Sequence, residues 1–283
     1  MASSANTTCL TPIAGEKHHL LDVYRPAEGR GPYPAVLYIH GGGFRILSKD
    51  SHWGMALAFA RRGYVVFVVN YRLAPVHKYP AAVEDVATAL QWVNDHAHEY
   101  GGDASRLVLA GESAGANLAT SLAIALSYRR DEPFARRLFD ANIAPRAVIA
   151  KCGMLQVSDP ERFSRRRKIP RFIRDRILEV SQSYLPKGPV AEGHLDFADP
   201  VVVLERSIVP DKPLPPFFSS AGTKDPVLDD TRRLHAALLR LGVRSEARYY
   251  QGEIHAFQAL HFLPNARAYW QEMHAFLEEV LAR

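Results

Sequence analysis

An apolar run, Leu107-Val108-Leu109-Ala110, breaks without a spacer into Gly111-Glu112-Ser113-Ala114-Gly115, and an Ala- and Leu-rich stretch of helical character follows at once. A strand that turns this sharply into a helix constrains the fold to an α/β sheet, because the turn residue is strained and both flanks must be small. Gly111 and Gly115 keep side chains away from the neighbouring strand and helix. The Ser113 hydroxyl is then pushed out at the carboxyl end of the sheet, where a base reaches it, so Ser113 reads as a nucleophile. The bland alternative is a surface turn with two helix-capping glycines. The strand before the pentapeptide and the helix after it argue against that.

A second element points the same way. Ala35-Val36-Leu37-Tyr38-Ile39 has the pattern of a buried strand and ends in His40-Gly41-Gly42-Gly43-Phe44. Successive glycines lose conformational entropy on folding, so three of them need a reason. Acyl transfer supplies one, since backbone N–H groups must approach the oxyanion of a tetrahedral intermediate without obstruction. Each such donor is worth about a hundredfold to a thousandfold in rate. The expected donors are the amides of Gly42 and Gly43, with Ala114 as the third. A phosphate-binding loop is the competing reading, but no Gly-Lys-Ser/Thr follows and the spacing does not fit a dinucleotide fingerprint.

Together the two motifs resemble the hormone-sensitive-lipase-type family of α/β-hydrolase esterases. Asn70-Tyr71-Arg72-Leu73-Ala74-Pro75, Tyr79-Pro80-Ala81-Ala82 and Asp85 are similar to the segment which that family carries between them, and the likeness runs from about Val36 to the C-terminus. The resemblance implies a serine carboxylesterase that needs no cofactor, with the chain order serine, acid, histidine. Searched in that order, the sequence offers Asp225, just past the late buried-strand candidate Phe217–Gly222, and then His255, past Ala247–Tyr250. His255 is the expected general base and Asp225 the group that fixes its tautomer. Asp229 and Asp230 are rivals, but they fall at the start of a helix, where acidic residues complement the dipole. His40, with Gly41, is expected to brace the oxyanion loop, and Glu112 to take hydrogen bonds on the far side of the elbow. The family more often has glycine where Ala256 stands, a departure expected to leave the imidazole undisturbed.

With 283 residues, 47% of them hydrophobic, the chain is large enough for one full α/β core. Short apolar runs alternate with amphipathic stretches such as Pro80 to Tyr100, which predicts a mostly parallel central sheet of about eight strands, helices on both faces, in a single domain. His19 to Tyr24 reads as the first strand, so little chain precedes His40 and the cap is expected to be small or reduced. The irregular stretch 155–216 is the expected cap or lid insertion. Phe163, Ile169, Phe172, Ile173, Ile177 and Leu178 either line the pocket there or anchor the insertion. The same stretch carries Arg162, Arg165, Arg166, Arg167, Lys168, Arg171, Arg174 and Arg176, much of the +5 net charge. Such a run is usually a solvated helix face, with an anionic substrate or lipid surface as the lesser alternative.

Other function classes recede. His18, His19, His96 and His98 lack the acidic or cysteine company of a metal site, so no metal is expected. No nucleic-acid signature accompanies the basic run. The two cysteines, Cys9 and Cys152, are placed too differently for a structural disulfide. Neither a secretory signal nor a membrane span is visible, so the expected location is cytoplasmic. A small-molecule ester is the expected partner, and the resemblance also implies a homodimer. An arylformamidase or other amidase would use the same residues. A prolyl-oligopeptidase-like peptidase would carry glycine at Ala116, and a non-catalytic hormone receptor of this fold would lack the histidine.

Overall fold

The computed structural model describes residues 3–9, 17–27, 29, 31–166 and 168–282, with the backbone alone described for 3–9 and 17. Eight strands form one sheet: β1 (Ser3–Cys9), β2 (Leu20–Arg25), β3 (Tyr33–Ile39), β4 (Val65–Val69), β5 (Gly102–Glu112), β6 (Ala147–Lys151), β7 (Phe217–Gly222) and β8 (Ser245–Tyr250). Their order is β1-β2-β4-β3-β5-β6-β7-β8. The strands from β3 to β8 are parallel, while β2 pairs antiparallel with both β4 and β1.

The strand expected over His19 to Tyr24 is β2, and it is not the first: the polar segment Ser3–Cys9 precedes it as an edge strand. A strand held by backbone pairing at a sheet edge needs no apolar alternation, which is why its composition resembles a leader. The disulfide question involves the Cys9 side chain, which lies outside the described residues; Cys152 is a buried free thiol.

The central strands are apolar on both faces, as a doubly covered parallel sheet demands. Ala35, Leu37 and Ile39 of β3 and Val65, Phe67 and Val69 of β4 face one core, shared with α2 (Ala81–His96) and α3 (Ala114–Ser127). Val36, Tyr38, Val66 and Val68 face a second core under α1 (Trp53–Ala60) and α9 (Pro264–Leu281). Burying each large side chain of this kind contributes about 1.5–3 kcal/mol. Further helices are α4 (Pro133–Asp140), α5 (Arg162–Arg166), α6 (Arg171–Tyr184), α7 (Pro200–Glu205) and α8 (Leu228–Arg240).

The chain leaves β3 for β4 on one side and enters β5 on the other, so the carboxyl ends of β3 and β5 flank a topological switch point, where ligands of open α/β sheets bind. The glycine loop and the serine elbow both open there. Above them lies α6. Phe44 and Tyr184 stack at 3.8 Å, Arg45 pairs with Glu179 at 2.7 Å, and Lys78 Nζ donates to the carbonyls of Ser183 and Leu185 at 2.8 Å each. Covering helix and glycine loop are thus tied together.

The basic run is an exposed face apart from Arg162: Arg165, Arg166, Lys168, Arg171, Arg174 and Arg176 are all exposed, some of them in surface ion pairs. Arg162 is buried against Asp230, and Arg165, Arg166, Arg171 and Arg176 meet Asp159, Asp229, Asp175 and Glu179. Arg167 lies outside the described residues.

Candidate active site

The turn from β5 into α3 holds Ser113 at φ 53°, ψ −116°, a left-handed conformation that a serine adopts only under constraint. Its amide donates to the Lys151 carbonyl at 2.8 Å, and its carbonyl accepts from Ala116 and Asn117. The flanking glycines are needed for space. A Cβ on Gly115 would lie 2.0 Å from the Ile39 carbonyl oxygen, and one on Gly111 would lie 2.2 Å from the Gly115 oxygen.

His255 Nε2 stands 3.0 Å from Ser113 Oγ, and His255 Nδ1 stands 2.9 Å from Asp225 Oδ2. Asp225 is wholly buried, and its other oxygen accepts the Val227 amide at 2.9 Å. Burial works against an imidazolium here, yet the Cys152 sulfur and the Asp225 carboxylate on the Nδ1 side raise the His255 pKa well above 6.5. The next residue, Ala256, has φ 58°. A glycine would take that conformation freely, so the alanine holds a left-handed turn directly behind His255.

Gly42 (φ 105°) and Gly43 (φ 59°) both occupy conformations that favour glycine, and with Ala114 they line the same cavity as Ser113 and His255. That cavity has a volume of about 650 Å³ and is mostly apolar. Phe172, Ile173 and Ile177 of α6 line it, whereas Phe163 is buried in the core and anchors the segment. A larger cleft of about 990 Å³ lies by Pro145, Arg146 and Pro216, at the amino ends of β6 and β7. That is the end of a parallel sheet away from the ligand-binding crevice.

His40 packs under the glycine loop. Its Nδ1 lies 2.7 Å from the Gly41 carbonyl, its ring stacks on Tyr71 at 4.2 Å, and burial lowers its pKa to about 4. The Tyr71 hydroxyl donates to the carbonyls of His40 and Gly41 at 3.0 and 3.3 Å. The Asn70–Asp85 segment therefore supports the loop: Asp85 accepts both the Arg72 amide, at 2.7 Å, and its guanidinium.

Behind the elbow Glu112 sits in a buried ionic network whose partners the sequence did not disclose. Glu112 Oε1 lies 2.9 Å from His52 Nε2, and the Lys151 ammonium, fully buried, lies 3.8 Å from Glu112 and donates to the Tyr38 hydroxyl at 2.7 Å. Burial alone would raise the Glu112 pKa, but His52 and Lys151 outweigh it and hold the carboxyl at about 2. Burial lowers that of Lys151, with Glu112 opposing. Neither His52 nor Lys151 has a motif of its own; the buried strand before Lys151 was the one available signal.

The rival acids have other partners. Asp230 accepts the Leu155 amide at 2.7 Å and the Arg162 guanidinium, anchoring the chain after β6, and Asp229 meets Arg166 and Arg232. Among the described residues, Cys152, Asp225 and His255 offer ligand atoms within 4.8 Å of one another. A cation there would compete for the proton that His255 and Asp225 share.

The arrangement places a hydroxyl within reach of an imidazole paired with a buried carboxylate, at an apolar cavity that Gly42, Gly43 and Ala114 also line. A family profile described as alpha/beta hydrolase fold matches residues 36–259, and the chain belongs to that family. Its resemblance to the hormone-sensitive-lipase-type esterases stands on the same match. Carboxylesterase NlhH of Mycobacterium tuberculosis is 32% identical over 240 residues, 83% of this chain and 70% of that protein. An acetyl esterase of Salmonella enteritidis is 29% identical over 228 residues, 80% of this chain and 65% of that protein. The solved hyperthermophilic esterase of Pyrobaculum calidifontis superposes with a TM-score of 0.77 at 26% identity, covering 100% of this chain and 85% of that one. No helix among the described residues is long and apolar enough to cross a membrane.

Proposed function

We propose that this carboxylic ester hydrolase works by acyl transfer through Ser113 on small esters with short acyl or aryl groups. His255 removes the Ser113 proton as the hydroxyl oxygen attacks the ester carbonyl, and Asp225 holds the imidazole in the required tautomer. The oxyanion rests on the amides of Gly42, Gly43 and Ala114. The alcohol leaves with the proton from His255, and water then cleaves the acyl-serine by the same route.

The observation that carries this reading is the continuous line from Asp225 through His255 to Ser113, with contacts of 2.9 and 3.0 Å, opening on an apolar cavity. The names of the relatives, carboxylesterase and acetyl esterase, support the substrate class. The segment 155–216 acts as the cap of a single domain, with α6 supplying the cavity wall that limits acyl length. The reading extends to a cytoplasmic enzyme acting on small molecules. It also extends to a homodimer.

The test is hydrolysis of p-nitrophenyl esters from acetate to laurate by the wild type and Ser113→Ala in parallel, with a p-nitroanilide for amide turnover. Activity on the short esters that disappears in the variant is expected. Ester turnover equal in the two proteins would overturn the assignment, and turnover confined to the anilide would move it to an amidase.

A further inference from the structure

On the face of the sheet covered by α1 and α9 lies a second cleft, of about 560 Å³. Arg61, Arg62 and Arg267 stand around it together with Trp53 and Trp270, and no carboxylate is among the residues that line it. Elsewhere on this protein arginines are commonly paired with acids; among the described residues these three meet none within ion-pair distance. Arg61 and Arg62 are exposed at the end of α1, and Arg267 donates to the Phe262 carbonyl at 2.7 Å. An acid on α9, Glu278, raises the pKa of the neighbouring Tyr64 while Arg62 opposes it, but Glu278 does not line the cleft.

The aromatic groups make the site more than a charged patch. Trp53 is 58% exposed, an unusual position for an indole beside two unpaired guanidinium groups. The His261 ring stacks on Trp270 with centroids 5.3 Å apart. His274 forms part of the wall, is 4% exposed, and its Nδ1 has no hydrogen-bond partner. Burial lowers the pKa of both imidazoles, helped at His261 by Lys151 and Arg61 and at His274 by Arg62. Both rings are therefore mainly neutral at pH 7, and the positive field comes from the guanidinium groups. These groups match a carboxylate in shape through paired N–H donors. The indole surfaces and the aliphatic floor of Leu57 and Ala58 match a flat hydrocarbon ring.

We propose that this cleft binds a planar aromatic carboxylate, with its ring against the Trp53 indole and its carboxylate on Arg61 and Arg62, at a site separate from Ser113.

Two of the three tryptophans of the chain wall the cleft, so intrinsic fluorescence reports on it. The experiment is a titration of the whole protein with 4-nitrobenzoate, and with the neutral 4-nitrobenzyl alcohol as control. Saturable quenching by the carboxylate is expected, weakening as salt rises. The double variant Arg61→Gln/Arg62→Gln should raise the apparent Kd roughly tenfold, the scale of losing a hydrogen bond to a charged group. Arg176→Gln, at the catalytic cavity, should leave that Kd unchanged. Both guanidinium groups replaced in the double variant are exposed, so its hydrolysis of p-nitrophenyl acetate should match wild type and show that it is folded. Equal quenching by the alcohol, quenching that does not saturate, or an unchanged Kd in the double variant would overturn the proposal. A rise in Kd with Arg176→Gln would overturn it as well, by moving the ligand to the catalytic cavity.

Discussion

Replacing Glu112 with glutamine keeps the shape of the side chain and removes its charge. The buried Lys151 ammonium is then left with the Tyr38 hydroxyl and, at 3.8 Å, the Met55 sulfur. In the wild type, burial pushes the Glu112 pKa up, but His52 and Lys151 bring it from 4.5 down to about 2. At about 1.4 kcal/mol per pKa unit, that difference is about 3 kcal/mol in favour of the native carboxylate. Stranding one member of a buried ion pair gives a similar figure, about 3–5 kcal/mol. Glu112→Gln is therefore expected to lose about 3 kcal/mol in urea unfolding at pH 7, through a lower midpoint at unchanged slope. The native pKa is the depressed one, so the contribution is fully present above pH 4.5 and is lost as pH falls towards 2. The gap between wild type and variant should close across that window. Lys151→Met added to Glu112→Gln removes the stranded cation and should recover most of the loss. A gap below about 0.5 kcal/mol, the range of ordinary surface changes, or one that ignores pH, would refute the reasoning.

Three further outcomes are expected. Because the His255 pKa is raised above 6.5, kcat/KM should climb with pH on a limb centred above that value, as the free base forms. Asp225→Asn should move the limb down and cut kcat by about 10⁴; a pH–rate profile of each protein checks both. Gly115→Ala places a Cβ against the Ile39 carbonyl and should cost at least about 3 kcal/mol, seen as loss of soluble protein or a much reduced urea midpoint. Ile177→Ala enlarges the cavity beneath α6 and should raise kcat/KM for hexanoate and octanoate esters relative to acetate, measured on the p-nitrophenyl series.

The central parallel strands were legible because they carry their own apolar runs: Ala35–Ile39 and Leu107–Ala110 need no partner to be recognised. The elbow and the glycine loop were legible because strain and close approach select for small residues at fixed spacing. What stayed hidden depends on residues far apart in the chain. Lys151 resembles the end of a strand, and its partners Tyr38, Glu112 and Met55 all come from other elements. Asp230 resembles a dipole partner at a helix start, yet it anchors Arg162 and the Leu155 amide some seventy residues earlier. The burial of Arg162 within an otherwise exposed run was hidden because its acid, Asp230, lies on another helix. β1 was missed since an edge strand is specified by its ladder, not by a pattern of side chains.

The three polar groups of the candidate site hang from strands of unequal security. Ser113 follows β5 and Asp225 follows β7, each held between two neighbours, whereas His255 follows β8, which among the described residues has β7 on one side only. Partial openings of a native protein begin where ladders are shortest of partners. The base is therefore expected to leave first with 245–256, loosening Thr223 and Lys224, which donate to the Tyr250 and Glu253 carbonyls, while Ser113 keeps its place. Heat or mild denaturant should silence the enzyme before the sheet melts, reversibly, and amide exchange along β8 should keep time with the loss of activity.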